Sequence, residues 1–170
     1  MTYLFLFIGY PGAGKTTISK HISQKTGATH IWADQERQRL FGYVTHSQQE
    51  SRQLYKYLDK KTDELLSQGK SVIFDTNFNF YNDRSILRNI AKKYNAQTIV
   101  IWVNTPKEVA KQRALHHTHR DRNGHPVTMT EEEFEQLSNH LEPPKPDEKP
   151  IIIDGSNLSE VDLDKILGLS

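Results

Sequence analysis

The chain has no cysteine, only two methionines and no excess of charge, since 22 Lys and Arg stand against 21 Asp and Glu for a formal net charge of +1. Missing thiols exclude disulfides, thiolate metal sites and a cysteine nucleophile. The near-neutral balance removes the electrostatic footprint of a general nucleic-acid binder, which is a strongly basic domain, although a locally basic site stays open. Long hydrophobic runs are missing too. The first apolar stretch, Tyr3–Ile8, is far shorter than the roughly 20 residues that span a bilayer, and no basic segment precedes it. A cytoplasmic protein without a membrane partner is the expectation. A length of 170 residues suits one domain, 1–170, with a proper core and a monomer by default.

What is present starts directly after that apolar run. Gly9-Tyr10-Pro11-Gly12-Ala13-Gly14-Lys15-Thr16 follows G-x-x-x-x-G-K-[ST]. A polyphosphate needs several donors converging on a concave surface, and Gly9, Gly12 and Gly14 let successive backbone N–H groups turn inward. The helix that follows presents its N-terminal partial positive charge to the same anion. Lys15 adds a point charge for the outer phosphates, and the Thr16 hydroxyl suits the magnesium ion that accompanies a nucleotide. Gly9, Pro11, Gly12, Ala13, Gly14, Lys15, Thr16 and Thr17 thus form the expected nucleotide-binding set.

The rest of the chain alternates apolar runs with helical stripes. Strands are expected at Tyr3–Ile8, 29–33, 71–74, 98–103 and 151–153, and a long helix from Ser47 to Gln68 carries Leu54, Tyr57, Leu58 and Leu65 inward. Ile86, Leu87, Ile90, Ala91 and Tyr94 mark another helix. Periodicity then fails from His116 to about residue 129, a polar stretch read as an irregular, lid-like excursion. Thr130 with Glu133 forms a capping box, and Leu158, Val161, Ile166 and Leu167 are assigned to a terminal helix. This alternation implies an α/β fold with a mainly parallel, doubly wound five-stranded sheet.

In such a sheet ligands collect beyond the carboxyl ends of the strands. Asp34 follows the second strand, with Arg37 three positions on, near one face of a helix's first turn. The carboxylate can take a proton from an acceptor hydroxyl while the guanidinium holds a phosphoryl group; a plain N-cap is the structural alternative for Asp34. Asp75 stands where this kind of fold places an acid for magnesium, and Asn77 can orient the acceptor. Arg113, Arg120 and Arg122 surround the lid, where closure brings positive charge to the transferring phosphoryl group. His116, His117, His119 and His125 fall on the same stretch without an evident carboxylate to support a metal.

In this order of motifs the chain resembles the small AAA-family P-loop kinases of the polynucleotide 5′-hydroxyl kinase and zeta-toxin type. That resemblance implies ATP with magnesium as donor system and phosphoryl transfer to a hydroxyl. It implies Asp34 as general base, Arg37 as partner of an acceptor phosphate, Asp75 and Asn77 as acceptor-site or metal-shell residues, and Arg113 as the opening of an arginine-bearing lid beside the nucleotide. The position that such a kinase gives its lid arginine falls at or near His117 here, so Arg120 or Arg122 takes that role. The implied acceptor is a polynucleotide or nucleotide 5′-hydroxyl; a small metabolite, nucleotide sugar or antibiotic hydroxyl is the alternative. A nucleotide-dependent switch is the reading of a different class, and no Asn-Lys-x-Asp guanine-reading motif supports it.

Overall fold

A computed structural model describes residues 1–45, 47–76, 80–120 and 126–168. β1 (Tyr3–Ile8) is buried from Leu4 onward, as a continuous apolar run in a central parallel strand should be. α1 (Lys15–Thr26) ends where Gly27 takes a left-handed φ of 68° and returns its N–H to the Ser23 carbonyl. β2 (Thr29–Trp32) runs straight into α2 (Ala33–Phe41). α3 (Gln48–Ser67) is capped by Ser47, whose hydroxyl accepts the Glu50 N–H at 3.2 Å. β3 (Val72–Asp75), α4 (Tyr81–Lys93), β4 (Gln97–Val103) and α5 (Lys107–His116) continue the alternation. β5 (Thr118–Arg120) and β6 (Pro126–Thr128) precede α6 (Glu131–Asn139), which starts on the Thr130–Glu133 capping box. β7 (Ile151–Ile153) and α7 (Leu163–Leu167) complete the described chain.

Among the described residues one sheet has five strands, all parallel, in the order β2-β3-β1-β4-β7. Alternate side chains of β1 serve opposite cores. Leu4, Leu6 and Ile8 pack with Leu54, Leu58 and Leu87 under α3 and α4, whereas Phe5 and Phe7 pack with Ile18, Ile22 and Leu163 under α1 and α7. Both faces are therefore covered, and polar chemistry is confined to the strand ends. No described helix is long and apolar enough to cross a membrane.

Three expectations need correction. The stretch at 116–129 contains an antiparallel ribbon, with Thr118 paired to Thr128 and their hydroxyls 3.2 Å apart. A short polar ribbon satisfies its backbone without an apolar face, so it leaves no hydrophobic period to read. Asp34 is not an N-cap: Trp32 occupies that position and α2 is already helical at Asp34. Leu158 and Val161 lie outside α7, because extended backbone at Val161 breaks the chain before the Asp162 side chain caps the helix on the Lys165 N–H.

The proline-rich connector after α6 is held by one buried ion pair. Arg84 on α4 donates to both carboxylate oxygens of Glu148 at 2.6 and 2.9 Å and to the carbonyls of Glu142 and Pro143 at 3.2 and 3.4 Å. Removing one partner of a buried pair leaves the other charge uncompensated, which typically costs about 3–5 kcal/mol. Glu148→Ala is accordingly expected to lower unfolding free energy in urea by an amount in that range, with Asp147→Ala, at the exposed Arg88 pair, costing under about 1 kcal/mol. Equal losses for the two variants would contradict the clamp.

Candidate active site

The loop between β1 and α1 curls over the end of the sheet. Gly12 and Gly14 take φ of 78° and 110°, a left-handed region that disfavours side chains. A Cβ on Gly12 would also stand 2.2 Å from the Ala110 carbonyl oxygen and 2.9 Å from the Ala114 nitrogen, so the loop lies directly on the backbone of α5. Pro11 and Ala13 are buried beneath it, while Thr17 is exposed in the first turn of α1. From behind, the Thr105 hydroxyl donates to the Ala13 carbonyl at 2.7 Å.

Lys15 is only 5% exposed, and its Nζ donates to the carbonyls of Gly9 and Tyr10, each at 2.8 Å. Burial pulls the amine down to about 8, against the opposing pull of Asp75 and Asp34. One residue on, the Thr16 hydroxyl donates to Asp75 Oδ2 at 3.3 Å. The same oxygen lies 3.0 Å from His30 Nε2. Asp75 is 4% exposed at the end of β3, where parallel pairing sets it opposite Trp32. Two hard oxygens, the Thr16 hydroxyl and the Asp75 carboxylate, thus meet beside the phosphate loop, a donor set that suits magnesium.

Asp34 and Arg37 part company despite their spacing. Asp34 is exposed and close enough to Lys15 to raise its affinity for protons, whereas Arg37 is 4% exposed. Arg37 Nη1 donates to Glu50 Oε1 on α3 at 2.6 Å. Glu50 Oε2 in turn accepts the N–H and hydroxyl of Thr45 at 2.6 and 2.7 Å. Burial works to push Glu50 up, but the Thr45 donors and Arg37 outweigh it and hold the carboxyl at about 2. Arg37 Nε is buried without a hydrogen-bond partner among the described residues. The guanidinium expected to face an acceptor phosphate is therefore matched by a carboxylate.

Arg113 leaves α5 toward the segment after β7, donating to the Gly155 carbonyl at 2.6 Å and to the Ser156 carbonyl. A Cβ on Gly155 would meet Thr105 Oγ1 at 2.1 Å and the Ala13 carbonyl oxygen at 2.2 Å. Arg113 thereby fixes the segment that backs the phosphate loop. Asn77 and Arg122 lie outside the described residues, as does the side chain of Arg120, whose backbone ends β5.

Three neighbours were not anticipated. His30 reaches Asp75 from the adjacent strand, Glu50 reaches Arg37 across the helix pair, and the Tyr55 hydroxyl is hydrogen-bonded to Thr76. Burial, foremost, pushes the Tyr55 phenol well above its ordinary value and keeps it protonated. Only the β2–β3 register could have pointed to His30, and no local signal marks Tyr55 or Glu50.

Lys15 yields a pH test. A polyphosphate stabilises the charged amine, so nucleotide binding above pH 8 should take up a proton and weaken by up to about tenfold per pH unit. Titration calorimetry of an ATP analogue in buffers of different ionisation enthalpy should show uptake approaching one proton at about pH 9. Buffer-independent heats at that pH would remove Lys15 from the anion site. Gly12→Ala should abolish the binding itself.

A family model described as an AAA domain matches residues 4–144. No curated protein matches the sequence. Among solved structures, a candidate kinase from Chloroflexus aurantiacus superposes with a TM-score of 0.73 at 21% identity, covering 98% of this chain and 95% of that one. A sugar kinase from Janibacter gives 0.67 at 18% identity over 99% of this chain and 91% of its own. An APS kinase from Mycobacterium tuberculosis, in complex with AMPPNP and APS, gives 0.63 at 14% identity over 99% and 96%. With most of its length matched, and a phosphate loop built as described, the chain belongs to the AAA-domain family.

Proposed function

We propose that this protein is a kinase that uses ATP and magnesium to phosphorylate a hydroxyl group of a small molecule. The observation that carries the reading is the convergence of Lys15, Thr16, Asp34 and Asp75 at the ends of β1, β2 and β3. The fold is shared with a sugar kinase and with an APS kinase whose structure holds AMPPNP, which supports an ATP donor and a small acceptor. Lys15 and the loop N–H groups bind the phosphates. Thr16 and Asp75 would hold magnesium, which supplies neutralising charge along the phosphate chain.

Asp34, exposed beside Lys15, is the group placed to take the acceptor's proton. As the acceptor oxygen bonds to the γ-phosphorus, the bond to the β–γ bridging oxygen breaks and ADP leaves with that electron pair. His30 positions Asp75, and Arg113 positions the segment behind the loop. We assign the lid at about 116–129 to the β5–β6 ribbon and its connection, with Arg120 or Arg122 as the closing charge on one domain. Asn77 belongs with Asp75 on the acceptor side of this proposal.

A polynucleotide 5′-hydroxyl is the less favoured acceptor. The residue that would hold its phosphate, Arg37, is paired with Glu50 in a buried contact, and a matched guanidinium offers little net attraction to an anion.

Transfer from γ-labelled ATP to 5′-hydroxyl oligonucleotides, nucleosides, sugars and amino sugars tests both parts. Label on a small molecule, lost on Lys15→Ala, is expected. Asp34→Asn should lower kcat by about 10²–10⁴-fold with nucleotide binding retained, the usual yield of a general base. Full activity in that variant would dismiss Asp34 as the base, and label on oligonucleotide ends alone would move the acceptor to nucleic acid.

A further inference from the structure

Beside the transfer site, α3, α4 and the sheet enclose a recess of about 20 Å³, room for one water-sized group. Its deep wall is apolar, formed by Leu6, Phe74 and Leu87, all nearly fully buried. Tyr55 and Thr76 also line it, and their hydroxyls are bonded to each other. Thr76 directly follows Asp75, and Tyr55 feels the charges of Asp34 and Arg37. Through Thr76 the recess adjoins the strand end that carries Asp75.

Two half-buried carboxylates, Asp59 on α3 and Asp83 on α4, face this recess, and neither accepts a hydrogen bond among the described residues. Both hold their protons more tightly than free carboxylates: burial, then the charge of Asp83, pushes Asp59 up to about 6, and burial, then Glu142, pushes Asp83 up in spite of Arg84. Arg84 also lines the recess, but Glu148 holds it through two bonds of 2.6 and 2.9 Å. Arg37 is likewise held by Glu50. The unmatched charge around the recess is therefore negative.

Resting on the kinase reading, we propose that this recess anchors the acceptor by a protonated amine set between Asp59 and Asp83, so that the substrate class is an amino-bearing hydroxyl compound. An ammonium group matches both the volume and the charge, and its three donors suit two acceptor carboxylates and the Tyr55 or Thr76 oxygen. A phosphorylated or carboxylated acceptor would bring like charge to the same place. A divalent metal ion fits less well, because no group of three or more His, Asp or Glu among the described residues is placed to hold one.

The test uses the full chain and matched probes. Initial rates with ATP and magnesium are measured for glucosamine, glucose and gluconate, which vary the charge on one carbon skeleton, and for ethanolamine against ethylene glycol. Amine-bearing acceptors should exceed their neutral counterparts by about tenfold or more in kcat/KM, the scale of one charge-assisted contact. Asp59→Asn and Asp83→Asn should each raise KM for the amine by a similar factor and erase the preference over the neutral probe. Unfolding temperatures of the two variants at or above the parent's would show that the loss is one of recognition. Equal preference in parent and variants, or gluconate as the best acceptor, overturns the proposal.

Direct binding separates this from the kinase reading. If ATP is not transferred to any probe, that reading fails, and ethanolamine is then titrated onto the protein with amide chemical shifts as readout. Shifts at residues 55, 59, 76 and 83 that vanish in Asp59→Asn retain the amine subsite, and their absence in the parent protein discards it.

Discussion

A primary amine enclosed by protein must be held by acceptors or it loses its charge, and Lys15 meets that demand with two backbone carbonyls of its own loop. The loop can offer them only by turning sharply, with left-handed backbone at Gly12 and Gly14 and with no side chain between Gly12 and α5. The position of α5 then follows from the position of the amine. So does that of the segment after β7, which Arg113 on α5 ties down by its carbonyls and which Gly155 lets approach Ala13. Backbone contacts of this kind leave little room for side-chain variation at Gly12 and Gly155.

The side proposed for the acceptor is built the other way, from matched side-chain charges. Arg37 with Glu50 and Arg84 with Glu148 are buried pairs, the first joining the consecutive helices α2 and α3 and the second tying α4 to the connector 64 residues on. Such pairs contribute little net stability against an apolar replacement, but they are costly to break, so they fix which helix faces which. With both guanidinium groups held, Asp59 and Asp83 are the carboxylates that line the recess. This division places the Lys15 charge at the phosphate loop and carboxylate charge at the recess proposed for the acceptor.

Features determined by contiguous residues were legible from the chain alone. The phosphate loop, the apolar strands and the Thr130 capping box depend on neighbours within a few positions, and the alternation of those strands with helical stripes implied the parallel sheet. The Asp34–Arg37 spacing was also visible, but not its meaning, since α2 packs so that three residues turn the chain from solvent to interior. Whether a charged side chain on a helix meets water or a partner is decided by another helix, here through Glu50. His30 and Tyr55 escaped notice for the same reason: each acquires its role from a residue some 20 or more positions away, His30 from Asp75 and Tyr55 from Thr76. The ribbon of β5 and β6 carried no apolar alternation to betray it.

The outer strands of the sheet, β2 and β7, run for only four and three residues. An unpaired strand edge is a template on which another chain can lay itself, and its hazard grows with its length. Here α2 takes over immediately after Trp32, and Gly155 follows β7 within two residues, so each exposed rim presents few free amide and carbonyl groups. The brevity that brings Asp34 to the top of the sheet thereby also guards the protein against adding a foreign strand.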